Sequence, residues 1–285
     1  MLEAISASTI DRLLQPHRKK RAGQKDIRHR QASTLRNKIA THTFRELRHL
    51  AVGFAEIDLV MHCGKTLKDF HLTTLVAVET VSSWTICHSV WGKGKERVQG
   101  TVAMVKRDAP YTLQWICSDH GGEFINECLY QHAQREQLAF SHSQLLEKND
   151  QPRVEQRNGS LVRRLVGYGR YNDKAAQRQM EEVYRLACLQ TNCMKPVAKL
   201  ISSERQGARV KKRYDEPKTP YLRLLESDDL HDDQKDALRQ QYETLDPLQI
   251  QRDLQVALEH LWAGEALDPT SERARILEEQ IRAQR

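Results

Sequence analysis

From residue 51 the chain alternates short apolar runs with polar breaks, and the runs differ in period. GFAEIDLVMHC is an apolar stretch interrupted only by Glu56 and Asp58. FHLTTLVAVET (70–80) and SWTICHSVW (83–91) are rich in β-branched and aromatic residues. The three predict consecutive strands, paired antiparallel because the links between them are short. Residues 93–107 switch to helical spacing through Val98, Val102 and Val105. YTLQWICS (111–118) predicts a fourth strand, 123–137 a helix and 138–142 a short fifth strand. A helix is expected over 150–168, with Asn149 or Asp150 as its cap and Pro152 in its first turn. Another is expected over 173–192. The order β-β-β-α-β-α-β-α-α implies an α/β fold: a mixed five-stranded sheet flanked by helices, over about 51–195.

The two ends read differently. Within residues 1–15, Ile10, Leu13 and Leu14 share one helical face behind a Ser8 or Thr9 cap. HRKKRAGQKDIRHR (17–30) has almost no apolar content and reads as a basic arm, in which Arg18, Lys19, Lys20 and Arg21 are candidates for phosphate contact. Residues 1–50 thus form a short helix plus arm. Residues 196–285 are expected to be a basic linker, then an acidic helical region. Pro217 and Pro220 mark the break, and helices are predicted at 233–245, 247–262 and 271–284.

Charge sharpens this division. The 285-residue chain has a net charge of +7. Residues 1–50 carry 12 Lys/Arg against 4 Asp/Glu, residues 51–215 carry 24 against 18, and residues 216–285 carry 9 against 16. Two basic stretches suit a polyanionic partner; an idle basic surface is the plainer alternative. No apolar run is long enough to cross a membrane, and the N-terminus lacks the pattern of a secretory signal, so a cytoplasmic location is expected. The six cysteines form no CxxC pair and are expected to be reduced thiols. GKGKER (92–97) lacks the spacing of a phosphate loop, so no nucleotide cofactor is expected.

The candidate chemistry lies in acids at strand ends and a helix start. Asp58 sits inside an apolar strand, where a carboxylate is costly unless paired or metal-bound. Asp119 ends the fourth strand ahead of Gly121 and Gly122, and Glu155 is one turn into the 150–168 helix. If strands one and four are neighbours, Asp58 and Asp119 converge and the helix brings Glu155 over them. Three such carboxylates stay ionised together only if cations neutralise them, and Mg²⁺ or Mn²⁺ is the natural choice for oxygen ligands. Two such ions could serve an in-line phosphoryl transfer. Each acid also has a plain reading: a solvated strand-edge acid, a turn former, a helix-start acid. Glu123 is read as a helix-start acid. Asn158, one turn after Glu155, could orient a carboxylate or touch DNA. Lys148, Arg153, Arg157, Arg163 and Arg164 decorate the same helix and its entrance, as candidates for phosphate contacts.

EIDLV (56–60), SDHGGEFIN (118–126) and KNDQPRVEQRN (148–158) together resemble the DDE transposase and retroviral-type integrase family, with 35 residues between Asp119 and Glu155. The resemblance spans about 50–195. VRRLVGYGRY (162–171) and KKRYDEPKTPYLRLL (211–225) extend it toward bacterial insertion-sequence transposases. It implies a ribonuclease H-like fold, and DNA strand cleavage and 3′-hydroxyl strand transfer during transposition of a mobile element. Two Mg²⁺ (or Mn²⁺) ions would be held by Asp58, Asp119 and Glu155. It also implies double-stranded DNA as partner, a homo-oligomer on paired ends and association with the bacterial nucleoid. His120 stands where the family usually has Asn, and SQLLEKNDQPR lacks the Pro-Tyr pair common before the third acid. Relatives normally carry an N-terminal helical DNA-recognition domain, so the short N-terminus is expected to reflect truncation or reliance on another subunit. A structure-specific nuclease on the same fold and an inactive or domesticated DNA-binding relative are the alternatives.

Overall fold

The computed structural model describes residues 35, 38–41, 51–143, 152–206 and 209–263. Its central sheet has the order β1-β6-β5-β2-β3-β4. β2 (Phe54–Met61), β3 (Thr73–Glu79) and β4 (Thr85–Val90) form the antiparallel part. β5 (Trp115–Ser118) runs parallel to β2, and β6 (Ala139–His142) parallel to β5. β1 (Ala40–Thr41) adds two residues beyond β6. The expected mixed five-stranded sheet flanked by helices is therefore present, extended at one edge by β1.

Alternation along β2 sets the two faces. Ala55 and Ile57 point with Leu75 and Ala77 toward α1 (Lys95–Asp108) and α2 (Glu127–Arg135), burying Val98, Val102, Val105, Leu129 and Ala133. Val60, Val76 and Val78 point the other way, toward Val154, Leu161 and Val162 and toward Met180 and Val183 of α5 (Lys174–Met194). Glu56 and Asp58 share this second face. The helix at 152–166 crosses it in three pieces: α3 (Pro152–Arg157), a π-helical turn (Asn158–Arg163) and α4 (Arg164–Val166). Gly53, at φ +114, brings the backbone before β2 against Thr112, where a Cβ would meet the Thr112 oxygen at 2.5 Å. Only glycine is accommodated there.

α6 (Pro220–Glu226), α7 (Asp232–Glu243) and α8 (Pro247–Ala263) follow. They continue the same two cores: Tyr221, Leu224 and Leu238 join the α1 side, and Ile250, Leu254 and Leu258 the α5 side.

Several expectations need correction. The fourth strand is short, because residues 111–114 form a loop tied to Gly53 by the Gln114 amide. α2 starts at Glu127 rather than 123, where the Asn126 side chain accepts the Leu129 N–H as a cap. The helix at 150–168 is interrupted by the π turn. Within 196–215 there is no linker but a β-hairpin, β7 (Leu200–Gln206) and β8 (Arg209–Tyr214). Its residues 200–204 and 210–214 are exposed or half-exposed on both faces, so the sequence there carries no period-two pattern. α6 was also not foreseen, although Pro220 at its start and the Thr219 cap mark it. The helices expected in 1–15 and 271–284, the arm with Arg18, Lys19, Lys20 and Arg21, Lys148 and the Asn149 or Asp150 cap lie outside the described residues.

Candidate active site

β2 and β5 are adjacent and parallel, in the register Phe54↔Trp115, Ala55↔Ile116, Glu56↔Cys117. Continued two residues, this register sets Asp119, just past the end of β5, level with Asp58, and the Asp119 charge is felt at Asp58. Asp58 is half-buried, and both its oxygens are occupied. The Leu59 N–H donates to Oδ1 at 2.7 Å, and Asn158 Nδ2 donates to Oδ2 at 2.6 Å. Burial raises the Asp58 carboxyl to about 6, and the negative fields of Asp119 and Glu155 add to that rise against the two hydrogen bonds. Asp119 is exposed and accepts the Gly121 N–H at 2.9 Å. Glu155 is exposed on α3, one turn from its start.

A fourth acid organises the third. Glu56 is fully buried two residues before Asp58 on the same face. Its Oε2 accepts the Arg153 and Val154 N–H groups at 3.1 and 3.0 Å, and its Oε1 accepts Arg153 Nη1 at 2.9 Å. Burial pushes the Glu56 carboxyl up and the Arg153 guanidinium opposes it. Glu56 therefore ties the first turn of the helix bearing Glu155 to the strand bearing Asp58. Sequence reasoning noted the acid but assigned it no role. The available signal was a carboxylate in an inward-facing position of an apolar strand, which demands a partner.

The other candidates divide. Asn158 orients Asp58. Arg153 is engaged by Glu56, with its side chain 21% exposed. Arg163 donates to the Met61 and Gly167 carbonyls at 2.9 and 3.3 Å and lies over the Tyr168 ring, tying the helix end to β2. Arg157 is half-buried, and burial lowers its guanidinium. Arg164 is exposed. Glu123 is not a helix-start acid. It precedes α2, and a Cβ on Gly121 would lie 2.9 Å from Glu123 Oε2 and 3.0 Å from Asp119 Oδ1, so both carboxylates crowd this glycine. His120 packs against His142, with ring centroids 4.4 Å apart.

The donor set suits a hard cation: oxygen ligands only, with a half-buried carboxylate raised by burial and, further, by the charges of Asp119 and Glu155. The gathering is incomplete, however. Among the described residues no group of three or more His, Cys, Asp or Glu stands close enough to hold a metal ion. Asp58 is turned to Asn158 and Leu59, and Glu155 points to solvent. The six cysteines are unbridged.

By its strand order and layers the chain is of the ribonuclease H-like α/β class. No family model matches it. It is 33% identical over 222 residues to the uncharacterized protein y4rM of Sinorhizobium fredii (strain NBRC 101917 / NGR234), a match covering 78% of this chain. The chain spans 63% of that relative's length. Similar solved structures include the catalytic core domain of BIV integrase, 17% identical with a TM-score of 0.36, covering 50% of this chain and 85% of that one. The HTLV-2 integrase catalytic core domain, solved in complex with magnesium in a dimeric form, is 14% identical with a TM-score of 0.40, covering 53% and 93%.

Proposed function

We propose that the chain is a DDE-type polynucleotidyl transferase that cleaves DNA strands at the ends of a mobile element and joins the freed 3′-hydroxyl to target DNA. The reading rests on the adjacent parallel strands β2 and β5, whose register points Asp58 and Asp119 toward one end of the sheet, and on the charges of Asp119 and Glu155 both being felt at Asp58. Asp58, Asp119 and Glu155 would hold two Mg²⁺ or Mn²⁺ ions. When bound, these would supply an activated oxygen nucleophile and stabilise the leaving oxygen. Asn158 holds the Asp58 carboxylate in one orientation. Glu56 sets where Glu155 stands, and no covalent intermediate is required. Double-stranded DNA is the substrate, and a homo-oligomer on paired ends, associated with the nucleoid, is part of the proposal. No helix among the described residues is long and apolar enough to cross a membrane.

The competing reading is a DNA-binding relative without chemistry, favoured by the ungathered acids. Cleavage and joining assays on DNA carrying the element's flanking ends, with Mg²⁺ or Mn²⁺, separate the two. Joined products made by wild type and lost in Glu155→Gln, with DNA affinity kept, are the expected result. Cleavage without joining would indicate a nuclease, and binding without chemistry under either metal would support the inactive relative.

A further inference from the structure

The hairpin β7–β8 is the described segment whose construction the catalytic reading leaves unused. Residues 200–214 carry five Lys/Arg (205, 209, 211, 212 and 213) against Glu204 alone, immediately before the acidic stretch 216–285. Lys211, Lys212 and Arg213 are exposed, and among the described residues none has an ion-pair partner. The pairs Ser202↔Arg213 and Glu204↔Lys211 put two cations on one face. Ser203↔Lys212 puts the third on the other, beside exposed Val210 and Tyr214.

The base of the ribbon is braced. Lys199 N donates to Asp215 Oδ1 at 2.6 Å, and the Asp215 N–H returns a bond to the Lys199 carbonyl at 2.9 Å. Arg223 grips the Asp215 carboxylate with two bonds, at 2.7 and 3.1 Å, and donates to the Val197 carbonyl at 2.7 Å. Lys199 Nζ donates to the Thr80 carbonyl at 3.1 Å, fastening the base to the end of β3. An idle linker has no need of such bracing.

We propose that β7–β8 is a DNA-binding ribbon that enters the major groove of a duplex, with Lys211, Lys212 and Arg213 neutralising phosphates on both sides. A two-stranded ribbon with its side chains is roughly 10–12 Å across, which the major groove admits. Seven residues of strand span about 23 Å, most of a duplex turn. The partner is DNA, as in the catalytic proposal, but the ribbon's role does not require chemistry at Asp58.

The test is anisotropy of a fluorescent duplex over roughly 50–200 mM NaCl, using the full chain. The triple variant Lys211→Gln/Lys212→Gln/Arg213→Gln is compared with wild type and with Lys93→Gln/Lys95→Gln, two exposed lysines at the start of α1. In the triple variant the slope of log affinity against log salt should fall by about 2–3, and low-salt affinity by about 10-fold or more. The control pair should keep the wild-type slope. An unchanged slope in a triple variant with wild-type circular dichroism and melting would overturn the proposal. So would an equal loss per charge in the control pair, or a change of oligomeric state with DNA affinity intact, which would make the ribbon a protein contact. A chain that binds through the ribbon yet never cuts DNA removes only the catalytic proposal. One that cuts and joins with an unchanged slope in the triple variant removes only the ribbon.

Discussion

Glu56 and Asp58 are two residues apart on one strand face, yet their surroundings assign them opposite tasks. Glu56 is fully enclosed, and the first turn of α3 donates three hydrogen bonds to its carboxylate. Asp58 is only half-buried, and its carboxyl is raised chiefly by burial, with the charges of Asp119 and Glu155 adding to the rise. Replacing Glu56 by Gln keeps one acceptor oxygen but removes the other and the charge that pairs with Arg153. Losing one partner of a buried, hydrogen-bonded pair costs about 3–5 kcal/mol when the other is left uncompensated. Arg153 retains some exposure, so Glu56→Gln is expected to lower stability by about 2–3 kcal/mol. It should also reduce strand transfer more than DNA affinity, because Glu155 loses its reference to Asp58. Urea unfolding beside cleavage and binding assays checks this. A variant as stable and as active as wild type would mean that α3 is held elsewhere.

At the scale of elements, β4 is the sheet's outer strand and would present open backbone groups to other chains. α5 closes it with side chains. Asn192 accepts the Thr85 N–H and donates to the Thr85 carbonyl, both at 2.8 Å. Glu181 accepts the Ser89 N–H at 2.6 Å. Asn192→Ala strips both groups of Thr85 at once, and a cost of about 2–3 kcal/mol is expected for two buried polar groups left without partners. The exposed edge should also promote self-association, measurable as light scattering near the melting temperature. A monodisperse variant with wild-type melting would refute this sealing role. The π turn packs on the same face of the sheet as α5. It buries Leu161 and Val162 together and leaves Asn158 aimed at Asp58; such insertions are common at functional sites.

Across the whole molecule, His88 pins three layers. It lies on β4, with Nδ1 3.2 Å from Glu181 on α5 and Nε2 3.3 Å from Asp108 at the end of α1. Burial alone would depress the imidazole, but Glu181 and Asp108 overcome it and raise it to about 10 from 6.5. The folded state therefore holds this proton more tightly than the unfolded one. The stabilisation is complete below about pH 6.5 and is lost as pH rises toward 10. Urea midpoints should fall between pH 7 and pH 10 by an amount equivalent to on the order of 2 kcal/mol, and His88→Gln should flatten that decline. A wild-type midpoint that is level over this range would show that the pair carries no net stability.

Local chemistry made much of this molecule legible from its sequence. The apolar run GFAEIDLVMHC (53–63), the β-branched and aromatic runs at 70–80 and 83–91 and the helical spacing after 93 all depend on near neighbours along the chain. So does the basic character of 200–214, but not its shape, because a ribbon exposed on both faces has no alternation to read. Tertiary structure alone decided which strands lie side by side, and hence that β5 runs parallel beside β2. It alone turned Glu56 from an anomaly into the anchor of α3, engaged Arg153 and Arg163 in holding the helix, and set Glu123 beside Asp119. Glu56 and Arg153 are 97 residues apart, and Asp58 and Asn158 are 100 apart. Burial and pairing at such separations follow from how the sheet and helices pack, because a side chain's cost or use is set by the partner that folding brings to it.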